Sequence, residues 1–258
     1  MTIPPGRPVV EISRLSFAWP RGPVVLALSD FQLRAGEKLF LKGPSGSGKS
    51  TLLGLISGVL KPGAGALNVL GKDLTAMGAA QRDAFRAAHL GVIFQMFNLL
   101  PYLPVMENVT LPAEFSKARA AKAAARSGSP AKEARRLLGR LGVGDAFHDR
   151  RASQLSVGQQ QRVAVARALM GAPELIVADE PTSALDAEAR DGFIDLLIEE
   201  CAQSEASLLF VSHDAALAQH FDRAVDLRAI NDAPEPLPES PPGSFRDSPR
   251  GNRPRGTA

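Results

Sequence analysis

A chain of 258 residues, 45% of them hydrophobic, is long enough to bury a substantial core. Its net charge of +3 is no argument for nucleic-acid binding, because Arg246, Arg250, Arg253 and Arg255 against Asp247 alone carry the whole excess within residues 240–258. Cys201 is the only cysteine, which excludes an internal disulfide and a cysteine-based zinc site and suits a reducing compartment.

The N-terminal MTIPPGRPVV lacks the apolar run of a signal peptide, and nowhere do 18 apolar residues follow one another. No direct membrane insertion is expected, so any link to a membrane is expected to run through a partner. Short apolar and β-branched runs predict strands at Val9–Phe17, Lys38–Leu41, Leu67–Leu70, Gly91–Phe94, Leu175–Ala178, Leu208–Val211 and Ala224–Leu227. They alternate with longer helix-patterned stretches, which predicts an α/β fold with a mostly parallel sheet covered by helices.

Between Gln95 and about Arg151 the character changes. Ala113–Arg126 and Ala131–Leu141 are rich in Ala, Lys and Arg at helical spacing, and no strand candidate intervenes. A helical subdomain over 96–151 is therefore expected within a core formed by 1–95 and 152–230. From Asn231 the chain is dense in Pro, Gly, Ser and charge, and 231–258 is expected to be a disordered tail.

The strongest local signal is Gly43-Pro44-Ser45-Gly46-Ser47-Gly48-Lys49-Ser50, a GxxxxGK[ST] P-loop placed after the strand ending at Leu41 and before the helical run from Thr51. Glycines let successive backbone N–H groups turn inward on phosphate oxygens, and the following helix presents its positive end. Lys49 is expected at the β- and γ-phosphates and the Ser50 hydroxyl on Mg²⁺. A second signal is Leu175–Ala178 followed by Asp179-Glu180. Asp179 is the candidate for holding Mg²⁺, and Glu180 is the candidate for polarising the attacking water.

Four predicted strands end in polar or phosphate-binding residues: Leu41 before the P-loop, Phe94 before Gln95, Ala178 before Asp179, and Val211 before Ser212-His213. Ligands bind beyond the carboxyl ends of strands in an open parallel sheet, so these segments are expected to converge on one site. A further stretch, Leu155-Ser156-Val157-Gly158-Gln159 and its helical continuation to Leu169, reads as a Ser-capped helix whose N-terminus is open to an anion. It lies at the far end of the helical insert, so it is expected to serve the site of a second chain.

These residues together resemble the ATP-binding cassette family over roughly residues 9–230. The resemblance assigns a Walker A to Gly43–Ser50, with Thr51 following, a Q-loop to Gln95 and the signature to Leu155–Gln159. It also assigns a Walker B to Leu175–Asp179 with Glu180, a D-loop to 183–186 ending in Asp186, and a switch histidine to His213. It implies a P-loop NTPase core with an N-terminal antiparallel β portion, and ATP and Mg²⁺ as cofactors. It further implies a head-to-tail dimer in which Ser156, Gly158 and Gln159 of one chain meet the nucleotide of the other. Mg²⁺ would meet Ser50, Gln95 and Asp179, while Lys49, Gln95, Glu180 and His213 would serve hydrolysis. The aromatic that stacks on adenine lies in this family in or just after the first strand, which points to Trp19, with Phe17 as the fallback.

Val157 stands where the family usually has Gly, and a β-branched residue resists positive φ, so a shift of the helix start is expected. Arg228-Ala229-Ile230-Asn231 replaces a common Gly turn, a departure expected to leave the site alone. The run Gly91–Pro101 with Glu107-Asn108-Val109 looks like the ATPases of lipoprotein-release and macrolide-export systems, although polar amino-acid importers share much of it. That reading places the chain in the cytoplasm, on the inner face of the cell membrane through integral permease subunits, with 96–110 as the contact. A soluble cassette acting on nucleic acid or the ribosome is the alternative, and the long coiled coil or second cassette of those relatives is not seen here.

Overall fold

The computed structural model describes residues 6–182 and 187–234. Two sheets organise them. Strands β1 (Pro8–Ala18) and β2 (Val24–Arg34) form a long antiparallel pair, and β4 (Ala64–Val69) and β5 (Lys72–Asp73) extend it in the order β2-β1-β4-β5. The second sheet is parallel, with β6 (Leu90–Ile93), β7 (Leu175–Asp179), β8 (Ser207–Ser212), β3 (Lys38–Lys42) and β9 (Arg223–Asp226) in that order.

The parallel sheet is buried on both faces, and its side chains alternate between two cores. Leu39, Leu41, Leu175, Val177, Leu209 and Val211 face the antiparallel sheet and helix α1 (Lys49–Ile56). Phe40, Ile176, Ala178, Leu208 and Phe210 face the helical side, where the Phe40 and Phe210 rings stack 6.2 Å apart. Each of these Val, Leu, Ile and Phe side chains contributes about 2 kcal/mol through removal from water. That double burial explains why these strands read as unbroken apolar runs.

β2 was not foreseen, and the reason is visible in its pairing. Arg14 of β1 takes a left-handed backbone (φ 47°), and β1 slips register against β4 there. In both β1 and β2 the buried set changes phase at this level, from Ile12 to Leu15 and from Leu28 to Phe31. A period-2 reading therefore breaks at Ser29-Asp30 although the strand continues.

Residues 79–140 supply four helices: α2 (Ala79–His89), α3 (Val105–Phe115), α4 (Lys117–Ser127) and α5 (Pro130–Arg140). The stretch expected as one helix over Ala113–Arg126 is divided at Ser116, whose hydroxyl caps α4 by accepting from Arg119 N. α6 (Val157–Leu169) follows, then α7 (Ala187–Gln203) and the short α8 (Leu227–Ile230). Glu133 and Glu200 are both buried and share Arg136, which ties α5 to α7 at 3.0 and 3.1 Å.

The end of the chain departs from expectation. Residues 231–234, assigned from composition to the tail, run beside the edge strand β2: Asn231 Oδ1 accepts from Ala27 N at 2.8 Å, and its Nδ2 donates to Val25 O at 3.0 Å. Asp232 N donates to Ala27 O at 2.8 Å. An open strand edge offers main-chain partners to any residue that reaches it, whatever the local composition. The remainder of the proposed tail, 235–258, lies outside the described residues.

Candidate functional site

The parallel register aligns the ends of four strands. Lys42 pairs with Ser212, Asp179 with Val211, and Ile93 with Ala178. The residues that follow each strand are thereby delivered to one edge. A cleft of about 600 Å³ opens there.

The P-loop forms one wall. Gly46 (φ 79°) and Gly48 (φ 95°) hold left-handed backbone, and a Cβ on Gly48 would lie 2.8 Å from Leu26 of β2. Glycine takes this backbone without strain, and the Leu26 side chain fills the space that a Cβ would need. Ser45, Gly46, Gly48, Lys49, Ser50 and Thr51 line the cleft, while Gly43, Pro44 and Ser47 belong to the same loop without lining it. Lys49 is buried, and its ammonium donates to Gly43 O at 2.7 Å and to Pro44 O at 2.9 Å. Ser47 Oγ is buried with no hydrogen-bond partner among the described residues.

Opposite the loop lie Gln95, Asp179, Glu180 and His213. Burial raises the Asp179 carboxyl above its ordinary range, and the hydrogen bond from the Ser50 hydroxyl opposes this; the charge of Glu180 adds to the rise. Glu180 has a left-handed backbone (φ 45°), the kind of local strain that folds store at working sites. Its N–H donates to Val211 O at 2.9 Å, and its carboxylate lies 2.8 Å from His213 Nδ1 and 3.7 Å from Lys49 Nζ.

Trp19 closes one end of the cleft. It is half exposed and stands edge-on against Phe17 with centroids 5.2 Å apart, whereas Phe17 itself is buried in the core. Of the two aromatics, Trp19 is thus the one that reaches solvent at the cleft. Val25 of β2 lines the same end and was missed, since nothing in an apolar residue on an unforeseen strand marks it as part of a site.

The donor set suits a hard cation. Ser50, Asp179 and Gln95 line the same cleft, all offering oxygen. Among the described residues no cluster of three or more His, Cys, Asp or Glu could hold a metal. A Mg²⁺ ion here would therefore draw on hydroxyl, amide and phosphate oxygens beside one carboxylate.

Ser156, Gly158 and Gln159 are not in this cleft. They form the start of α6, where Gln159 N donates to Ser156 Oγ at 3.3 Å and Ser156 N donates to Gln159 Oε1 at 3.0 Å. Val157 is the first helical residue and does not have positive φ, so the helix start tolerates a β-branched side chain at little cost; the expected shift does not arise. Its side chain is 54% exposed, an apolar group presented outward beside the helix N-terminus. Asp186 lies outside the described residues.

The sequence model of the ABC transporter family matches residues 26–183. A lipoprotein-releasing system ATP-binding protein, LolD, of Anaeromyxobacter dehalogenans is 42% identical over 240 residues, covering 91% of this chain and 98% of that protein. This chain belongs to the ABC transporter family. It is an ATP-binding cassette that uses ATP with Mg²⁺ and hydrolyses it. The macrolide export ATP-binding/permease protein MacB of Bradyrhizobium diazoefficiens is 38% identical over 224 residues, which is 86% of this cassette and 33% of that longer protein. The solved dimer of the cassette MJ0796, in a post-hydrolysis state with ADP and Pi, superposes with a TM-score of 0.76 at 32% identity, covering 84% of this chain and 93% of that one.

Two further features of the cassette were not read from sequence. Arg228 and Asn231 line a second cavity of about 470 Å³ together with Ser45, Gly46 and Ser47. The exit of the chain therefore abuts the P-loop, contrary to the expectation that it leaves the site alone. Gln161 of α6 is buried, and its side-chain amide donates to Pro181 O, directly after Glu180. Among the described residues no helix is long and apolar enough to cross a membrane.

Proposed function

We propose that two copies of this cassette close head-to-tail on ATP and power a separate integral membrane permease of the export or lipoprotein-release type. The observation that carries the shared site is the position of α6: Ser156 and Gly158 stand at a capped helix N-terminus outside their own chain's cleft, with Val157 exposed beside them. The dimer of MJ0796 supports this arrangement, and the LolD and MacB relatives support the type of transporter.

In this reading the glycines of 43–48 turn main-chain N–H groups toward phosphate, and Lys49 exchanges its carbonyl partners for phosphate oxygens. Trp19 offers its face to the base. Ser50, Asp179 and Gln95 hold Mg²⁺, which when bound neutralises charge on the phosphate oxygens. Glu180 polarises the attacking water, and His213 fixes the Glu180 carboxylate by hydrogen bond. Asp186 of the D-loop, which lies outside the described residues, is assigned to nucleotide binding. The permease contact is assigned to 96–110, where Met96 and Tyr102 are exposed. This places the cassette on the cytoplasmic face of the cell membrane through its permease. The part of that reading without a second copy, a monomeric ATPase, is separated by mixing. Ser156→Arg and Lys49→Ala are each expected to be inactive, and their mixture to regain part of the wild-type rate, because one of its two sites keeps both wild-type residues. Wild type mixed with each variant first shows that a single intact site turns over. A mixture that stays inactive at every ratio would remove the shared site.

A further inference from the structure

The far end of α6 makes a contact that none of the motifs accounts for. Arg167, in its last turn, donates from Nη1 to Asn98 O at 2.7 Å and from Nη2 to Phe97 O at 2.6 Å. Both carbonyls belong to the loop that follows Gln95. Phe97 and Asn98 are consecutive residues with left-handed backbone (φ 57° and 49°), a conformation that a residue with a Cβ resists and a bulky one resists more. Such a turn persists only where its surroundings hold it.

The guanidinium is well suited to hold it. Its planar fork reaches two successive carbonyls at once, a geometry an ammonium on a flexible stem does not reproduce. Among the described residues no carboxylate pairs with Arg167, so these carbonyls are its principal partners, and burial pushes its pKa below the ordinary arginine value.

The helix end that carries Arg167 is itself anchored. Arg119 of α4 is buried and donates to Met170 O and Ala168 O, both at 2.7 Å, and to Leu90 O at 3.3 Å. A cation on the last carbonyls of a helix also complements its dipole. Gly91 of β6 lies so close that a Cβ there would be 2.4 Å from Ala168 O. Strand β6 thus packs directly on the end of α6, a few residues before Gln95. From Ser156 to Arg167 the helix runs about 16 Å without interruption.

We propose that Arg167 is a positioning residue for Gln95. From α6 it holds the left-handed turn at Phe97-Asn98, so one rigid helix carries the signature at its N-terminus and sets the Q-loop at its C-terminus. Movement of the signature onto a second chain's nucleotide would then be felt at Gln95 through two hydrogen bonds. This rests on the reading of Gln95 as a residue that meets nucleotide and Mg²⁺.

The test uses the full chain with Arg167→Ala, Arg167→Lys, Gln95→Ala and the double variant Arg167→Ala/Gln95→Ala. Amide exchange at Phe97 and Asn98 is expected to be at least about tenfold faster in Arg167→Ala, while that of the β7 amides stays unchanged. Turnover is expected to fall at least about fivefold with little change in KM, and the same substitution in the Gln95→Ala background is expected to cost less than about twofold. Arg167→Lys should shift both readouts in the same direction by less, and it carries the test if the alanine variant fails to fold. Unchanged exchange at Phe97 and Asn98, or losses that multiply in the double variant, would overturn the proposal. Gln95→Ala alone tests the reading beneath it: normal turnover there removes Gln95 from the site and the positioning role with it. Impaired Gln95→Ala with multiplying losses removes Arg167 alone.

Discussion

The Glu180 carboxylate lies 2.8 Å from Nδ1 of His213, so the residue that follows β7 is joined to the residue that follows β8. Strand pairing sets this distance, since Asp179 stands opposite Val211 and each chain then needs one or two residues to reach the cleft. The left-handed backbone of Glu180 turns its side chain toward that partner and toward Lys49 at 3.7 Å. Glu180→Gln keeps the shape and loses the charge that polarises water. Hydrolysis is expected to fall by more than about a hundredfold, or roughly 2.7 kcal/mol of barrier, with ATP affinity retained. Steady-state ATPase measures the first, and size-exclusion in saturating ATP should show a persistent dimer. Normal turnover would take Glu180 out of the catalytic role.

Trp19 is the only tryptophan, so its fluorescence reports on its own environment. Addition of ATP is expected to quench it. Trp19→Ala should raise KM about fivefold with turnover preserved, in line with about 1 kcal/mol for a ring stacked on a base. Equal KM values for wild type and variant would place the base elsewhere in the cleft.

Glu174 gives a pH dependence whose sign follows from its surroundings. Burial opposes its charge, but hydrogen bonds from His89 and from Lys122, at 3.1 and 2.8 Å, outweigh this and hold the carboxyl at about 2, below its ordinary 4.5. A folded value below the unfolded one contributes stability above pH 4.5, and that contribution is lost as pH falls toward 2. Its size is about 2 kcal/mol after allowance for solvent around the lysine. Urea unfolding of wild type and Glu174→Gln should therefore differ by about that amount near neutrality and converge in acid. A difference that does not change with pH would assign the effect to packing.

Asn231 and the residues beyond Pro234 are expected to behave differently. Asn231→Ala removes two side-chain hydrogen bonds to the β2 main chain, at Ala27 N and Val25 O, and a loss of about 1–2 kcal/mol in stability is expected, with a rise in KM for ATP. Truncation after Pro234 should leave turnover within about twofold, roughly 0.4 kcal/mol. Calorimetry and ATPase assays on both variants decide it. A truncation that unfolds the cassette would show that 235–258 contributes to the core.

The residue types and spacings of this chain were enough to determine its chemistry. Gly43–Ser50, Asp179-Glu180 and His213 could be named as candidates from their order at strand ends, because phosphate binding needs particular residues at short range, whereas Trp19 was named only through the family resemblance. The alternation of strands with helices likewise determined a parallel sheet, and strand ends that carry polar residues determined one edge for the site. What the tertiary structure decided depends on partners distant in the chain. Strand β2 was hidden because its buried set changes phase from Leu28 to Phe31 across the exposed Ser29-Asp30, so no single alternation runs its length. Asn231 was read as tail because composition does not report an open strand edge waiting for it. Arg167 was one more arginine on a helix, and its role emerged only where the fold placed two main-chain carbonyls within reach of its fork, 70 residues away in sequence for Phe97. A hydrogen bond to backbone leaves no mark on the identity of its acceptor, and for that reason such contacts are found by coordinates and not by motif.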